Sequence, residues 1–379
     1  MSPFGRPLRR RFRLEPGTDF LNHGSFGTTP RVVLAAAERW QRRMEANPDR
    51  FMRELLPGAL RAAAARLARF LGAEARDLVF VENATTGVNA VLRSLELRRG
   101  DEILGTTHTY NAVRQAIREV CRRTGAKPVE ARIGLPVGHV DDLVAPIVRK
   151  MSRRTKLVVL DHISSPTGLV FPIKRLARLA RARGIPALVD GAHAPGQLAL
   201  DIPSLGVDWY AGNCHKWLYA PKGCAFLWAR RSAQQGLHPT VISHGYGKGL
   251  AAEFDWTGTR DFSNWLALPE ALGFLLELKP SKLRAYNHRI VTTAARGISE
   301  AWRTPLDGPA DLHGSMMAIR LPKRLQDRDP RQLMRELLDR HRIVVAVMPI
   351  GGALWARISA QAYNVPSDYR KLTQTIPRL

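Results

Sequence analysis

Acidic residues and cysteines are scarce in this chain of 379 residues. Against 58 Lys+Arg there are 33 Asp+Glu, a formal net charge of +25. The three cysteines, Cys121, Cys214 and Cys224, cannot all pair and show no metal-ligand spacing. A disulfide-stapled secreted domain and a zinc module are therefore excluded, and a reducing cytoplasm is the expected setting. No apolar run approaches 18 residues, so no spanning helix is expected. The opening MSPFGRPLRRRFRLEPG lacks the apolar stretch of a secretory signal and reads as a basic arm over residues 1–20. Aromatic residues make up 7% and do not interleave with the arginines as in a single-strand binder. A nucleic-acid partner is not expected despite the charge; solvated faces such as Arg175-Leu176-Ala177-Arg178 account for it. Hydrophobic residues at 45% and 8 Trp suffice for two cores, a large domain and a smaller one.

What is present centres on residues 187–223. The apolar strand Ala187-Leu188-Val189 ends on Asp190, and Gly191-Ala192-His193 follows. A second apolar piece, Val207-Asp208-Trp209-Tyr210, leads to His215-Lys216, and Pro221-Lys222-Gly223 closes the segment. Alone, Asp190 is compatible with a strand cap and Lys216 with a surface lysine. The apolar and aromatic flanks of Gly-Asn-Cys-His-Lys-Trp-Leu make a poor surface, however. A lysine held there loses solvation, and its pKa falls toward the nucleophilic range. A carboxylate at a strand end with a buried lysine 26 positions on suggests a carbonyl cofactor held as a Schiff base, with the carboxylate on a pyridinium nitrogen.

The preceding chain alternates strands and helices: strands near 78–81, 102–104, 128–133 and 156–160, and helices near 88–97, 112–123, 140–151 and 173–183. The pattern predicts a mostly parallel sheet with crossover helices, and such sheets bind ligands at the carboxyl ends of their strands. Three polar stretches fall there. Glu82-Asn83-Ala84-Thr85-Thr86-Gly87 joins a strand to a helix N-terminus, an anion site unless Asn83 or Thr85 serves only as an N-cap. Thr106-Thr107-His108-Thr109-Tyr110-Asn111 ends the next strand, and Asp161-His162-Ile163-Ser164-Ser165 a third, with His162 and Ser164 as site candidates. Further helices are expected near 32–44, near 54–71 with a break at Pro57-Gly58, and as one long segment over 262–295.

VDGAH followed by GNCHKWLYAPKG resembles the class V family of pyridoxal-phosphate (PLP) enzymes, with the aspartate-aminotransferase-like (type I) fold. The resemblance runs from LNHGSFG to LWARISAQAYN and looks strongest to the branch of isopenicillin N epimerase and related carbon–sulfur lyases. It implies an α/β fold with a mostly parallel central sheet: residues 21–265 as a large cofactor-binding domain and 266–379 as a smaller α+β domain. It implies PLP bound to Lys216, with Asp190 on the ring nitrogen and His193 at the ring hydroxyl. Thr85, Thr86 and His215 match the phosphate-binding positions, and Thr259, in WTGTR, matches a threonine that reaches the phosphate of a partner subunit in a homodimer. Asn22 and His23 become candidate substrate contacts, and Arg357 the grip on the substrate carboxylate, for which a planar guanidinium fork is suited. Relatives place a histidine one residue before Tyr110; Thr109 stands here, leaving Tyr110 and His108 as alternatives for the group over the ring. Tyr110 is favoured, since a phenol can stack and relay a proton. The three cysteines lie far upstream of Arg357, against a persulfide-forming desulfurase. The expected activity is PLP chemistry at the α-carbon of an amino acid. Epimerisation is the first reading; β-eliminating carbon–sulfur lyase or aminotransferase is the alternative. Polyanion binding on an inactive scaffold is a distant third.

Overall fold

The computed structural model describes residues 4–379. Seven strands build the larger sheet: β1 (Leu78–Val81), β2 (Glu102–Thr106), β3 (Lys127–Ala131), β4 (Thr155–Asp161), β5 (Ala187–Asp190), β6 (Trp209–Asn213) and β7 (Ala225–Ala229). Their order is β1-β7-β6-β5-β4-β2-β3. Neighbours are parallel except β7, which is antiparallel to both β1 and β6. The link from β6 to β7 is too short for a crossover helix, so the chain turns back on itself there. Helices α1 (Ala84–Arg93), α2 (Asn111–Thr124), α3 (Val140–Lys150) and α4 (Ile173–Arg181) make the crossovers.

Strand alternation distributes each apolar run to two cores. Val79, Val88, Leu157 and Val159 pack on one face, and Phe80, Val158, Leu160 and Val189 on the other. Burial on both faces explains why these strands read as unbroken apolar runs. The second core continues into the C-terminal region. There α5 (Pro280–Trp302) packs on a three-stranded antiparallel sheet of β8 (Met316–Arg320), β9 (Ala346–Ile350) and β10 (Ala353–Ser359), in the order β9-β10-β8. Gly351 and Gly352, with φ of 58° and 80°, form the tight turn between β9 and β10.

Three local expectations change. The stretch over 262–295 is three helices, Ser263–Leu266, Leu268–Glu277 and α5. Pro269 and Pro280 each open a new helix, where a missing N–H costs nothing. For the same reason Pro57 does not interrupt its helix: it lies in the first turn of Leu56–Phe70, behind a π-helical turn at Phe51–Leu55. Finally, the basic arm is not a loose tail. Phe4, Leu8 and Phe12, four residues apart, are buried, and the Phe12 ring lies 5.0 Å from that of Tyr363. The arginines between them stay outside, and Arg11 pairs with Glu277 at 2.6 Å.

Candidate active site

Lys216 follows β6, and its side chain reaches the carboxyl end of the sheet. Its Nζ is 3.1 Å from His193 Nε2. On the other side of that ring, Trp217 Nε1 donates to His193 Nδ1 at 3.4 Å. An indole can only donate, so Nδ1 accepts and the imidazole proton is assigned to Nε2. That N–H in turn needs an acceptor, and Nζ accepts only as a neutral amine. The electrostatics agree. Burial brings Lys216 down to about 7, the Arg357 charge adds to the fall and Asp190 opposes it. Burial, and then the Lys216 charge, hold His193 well below the usual histidine range.

The backbone of this lysine is fixed by the N-terminal loop. His23 donates from Nε2 to the Lys216 carbonyl at 2.9 Å, and its Nδ1 pairs with the Tyr363 hydroxyl at 2.8 Å. His23, expected at the substrate, is thus wholly buried as a strut. Gly27, with φ of 67°, brings this loop so near that a Cβ would stand 2.2 Å from the His215 carbonyl. Only glycine meets both demands.

Asp190 ends β5 and is buried; its Oδ1 accepts from the Ala192 N–H at 3.0 Å. Burial raises its pKa, while the Ala192 bond and the Lys216 charge hold it down. Its register partner is Asp161, the last residue of β4. The next residue, His162, points away from the site and meets the Tyr210 hydroxyl at 2.8 Å. Ser164 is buried, and its hydroxyl has no partner.

Arg357, on β10, is 1% exposed. Its Nη2 donates to Asn22 Oδ1 at 3.1 Å and Ser25 Oγ at 3.0 Å, and its Nη1 donates to the Ser165 carbonyl. Nε has no partner, and among the described residues no carboxylate pairs with this guanidinium. Burial lowers it to about 10. Arg357 and Lys216 line one cavity of about 520 Å³, together with Tyr110, Thr109, Phe26 and Met348. Of the alternatives for the group over the ring, His108 lies outside this cavity, its Nε2 3.3 Å from the Ile133 carbonyl, whereas Tyr110 lines it and is 45% exposed.

At the N-terminus of α1 the caps are divided. Asn83 Oδ1 takes the Thr86 N–H at 2.9 Å and its hydroxyl at 3.3 Å, and Asn213 Oδ1, from β6, takes the Ala84 N–H at 2.8 Å. Among the described residues the Thr85 N–H and hydroxyl are left without a partner, the donors an anion needs. His215 donates from Nδ1 to the Cys224 carbonyl at 3.0 Å, leaving Nε2 free; burial brings it to about 4. Thr259 lies in a different depression, with Glu82, Thr257 and Arg260. The sequence reading did not single out Asn213, Ser25, Trp217 or Asp161. Asp161 alone had a signal: an acid ending an apolar strand, as Asp190 does.

The donor set fits a pyridoxal group: a half-buried amine of lowered pKa for an aldehyde, a buried carboxylate for a pyridinium, and donors at a helix N-terminus for a phosphate. Comparison with known proteins points the same way. The family model for aminotransferase class-V matches residues 21–370. Isopenicillin N epimerase of Streptomyces clavuligerus is 36% identical, over 98% of this chain and 97% of that protein. A putative L-cysteine desulfhydrase of Oryza sativa subsp. japonica is 34% identical, over 96% of this chain and 84% of that protein. Among solved structures, a mutant of C-DES with glycine covalently linked to its PLP cofactor superposes with a TM-score of 0.83 at 20% identity, covering 97% of this chain and 98% of that one.

Proposed function

Since the chain belongs to the aminotransferase class-V family of PLP-dependent enzymes, we propose that it works at the α-carbon of an amino acid, with Lys216 as the proton-transferring base. One observation carries the reading: a buried arginine with no counter-ion among the described residues shares a cavity with a half-buried lysine whose pKa is lowered to about 7. Each lacks what an amino-acid substrate brings. The substrate carboxylate supplies the charge Arg357 is missing, in a fork held open by Asn22, Ser25 and the Ser165 carbonyl.

Lys216, His193, Asp190, Thr85 and His215 would hold the cofactor, with Thr86 beside them. When bound, PLP supplies an electron sink for the pair left at Cα. This chain's own residues do the rest. Arg357 orients the substrate so that its Cα–H faces Lys216. The Lys216 amine, near 7, can take a proton and give it back at neutral pH. Asp190 keeps a negative charge at the ring nitrogen. His193 positions the Lys216 amine through the contact between its Nε2 and Nζ. Tyr110 lines the same cavity and is the acid available for returning a proton on the second face, which epimerisation requires.

Carbon–sulfur lyase activity is the second reading, favoured by the similarity to cysteine desulfhydrases over nearly the whole chain. Tyr110 separates the two, because epimerisation needs a second-face proton donor in this cavity and β-elimination does not. Thr259, which lines a different depression from Lys216 within one chain, supports a homodimer in which it serves the partner's site.

The test is the absorption spectrum of PLP-loaded protein beside Lys216→Ala, then a panel of L-amino acids in heavy water. Exchange of the Cα proton with inversion supports the epimerase reading, and sulfide with keto-acid release supports the lyase. Protein that stays colourless with added PLP refutes both.

A further inference from the structure

Asp161 is the one buried carboxylate beside Asp190, and the chemistry above gives it no task. The two residues are register partners at the ends of adjacent parallel strands. Paired residues on such strands point to the same face, about 5 Å apart. Asp161 is 2% exposed. Its Oδ1 accepts from the Tyr110 N–H at 3.4 Å. Its Oδ2 is buried and has no partner.

The groups around it decide its charge. From the loop after β2 come the Thr109 hydroxyl and the Tyr110 N–H, both donors; from β5 comes the Asp190 carboxylate, a like charge. The cation of this region, Lys216, acts on Asp190. Among the described residues no lysine, arginine or histidine forms an ion pair with Asp161. Loss of solvation pushes its carboxyl far upward, and the neighbouring Asp190 pushes it further. Two carboxylates sharing a dry site do not both ionise. An oxygen with no donor facing it is poorly placed to carry charge, and protonation removes the cost of a buried unpaired anion.

We propose that Asp161 is a protonated carboxylic acid in the working enzyme and a positioning residue: the Asp161–Asp190 pair holds a single negative charge, and that charge sits on Asp190. This rests on reading Asp190 as the partner of the ring nitrogen. Oδ1 holds the backbone of Tyr110, and the proton on Oδ2 keeps a second anion away from the ring. The pair then presents one charge to one pyridinium. Were Asp161 ionised, Lys216 and the ring nitrogen would both become more basic and the neutral amine would be lost at neutral pH.

The experiment has two arms. In the first, infrared difference spectra of the cofactor-free protein at pH 7 compare wild type, Asp161→Asn and Asp190→Asn. The carbonyl stretch of a protonated carboxyl is expected in wild type, lost in Asp161→Asn and kept in Asp190→Asn. Any other pattern overturns the proposal. A purely structural role for Asp161 would shift stability without assigning that band to it. This arm uses no cofactor, so it decides the proton's place even if the PLP reading fails. In the second, the pH titration of cofactor absorption is followed in PLP-loaded protein. Asp161→Asn, a neutral isostere of the protonated acid, is expected to keep the wild-type midpoint, while Asp190→Asn moves it by about a tenfold change in proton affinity. Equal shifts in both variants would mean that the charge of Asp161 is used, and would overturn the proposal.

Discussion

Replacing Lys216 by methionine should stabilise the cofactor-free protein, by an amount that depends on pH. The lysine is half-buried where it lines the cavity, and desolvation brings its pKa from 10.5 to about 7. In the unfolded chain it binds its proton up to about 10.5; in the folded chain it releases it at about 7. Between those values the unfolded state holds one proton more, so stability rises with pH. Below about 7 both states are protonated, and the folded state carries the full cost of a buried ammonium. At 1.36 kcal/mol per pH unit that cost is about 5 kcal/mol. Methionine has similar length, fills the site and carries no charge. It forfeits the hydrogen bond with His193, worth about 1 kcal/mol. Lys216→Met should therefore gain about 4 kcal/mol at pH 6.5 and only about 1 kcal/mol at pH 9, with the gain gone near 10.5. Urea unfolding of both proteins without cofactor, followed by tryptophan fluorescence at several pH values, measures it. Groups common to both proteins cancel in the difference. A gain that stays constant with pH, or a loss at pH 6.5, would refute the neutral buried amine and the tautomer assigned to His193.

Arg357→Lys keeps the charge but not the fork. It should lower kcat/KM for an amino-acid substrate by about 2–5 kcal/mol in transition-state terms, the range for truncating one partner of a buried charge pair, with the cofactor spectrum unchanged. A third prediction concerns His313, buried 3.0 Å from Asp307 and donating from Nδ1 to the Pro309 carbonyl at 2.8 Å. The Asp307 contact is an ion pair whose angles fall outside hydrogen-bond geometry, and the carboxylate still raises the imidazole pKa against burial. A raised histidine contributes stability in full below 6.5 and loses it as pH climbs through the folded value. His313→Leu should therefore cost about 3–5 kcal/mol at pH 6, from the Asp307 charge left unpaired, and less at pH 9. Denaturant titrations at the two pH values check it.

Much of this architecture was legible because each strand is short, apolar and closed by a polar residue. Lys156 to Leu160 reads as buried from its letters alone, and the structure extends it by one residue each way. Asp190 and Lys216 were legible for the opposite reason: they are polar residues in settings that should not hold them. What escaped depends on partners distant in sequence. Asn213 caps α1 from 129 residues away, and nothing local marks an asparagine in Gly-Asn-Cys for that task. Ser25 reaches Arg357 across 332 residues. The arm was misjudged because its arginines dominate the composition, while the packing follows the three apolar residues between them. The single helix expected over 262–295 overlooked that proline at a first turn starts a helix as readily as it ends one.

The strut from His23 has a consequence for the life of the chain. It joins the lysine's carbonyl to Tyr363, 340 residues from His23 itself. Arg357, also near the end of the chain, is held by Asn22 and Ser25. Segments 332 to 340 residues apart therefore meet around Lys216, and the stretch from Arg357 to Tyr363 must be in place before that meeting can occur. Contacts of such long separation form late, since closure of the loop comes before any reward. A nascent or prematurely ended chain would have the sheet and its Asp190, but an unanchored lysine and no carboxylate grip. The lysine is then anchored only in molecules that have made this closure, and cofactor colour becomes a readout of correctly closed molecules.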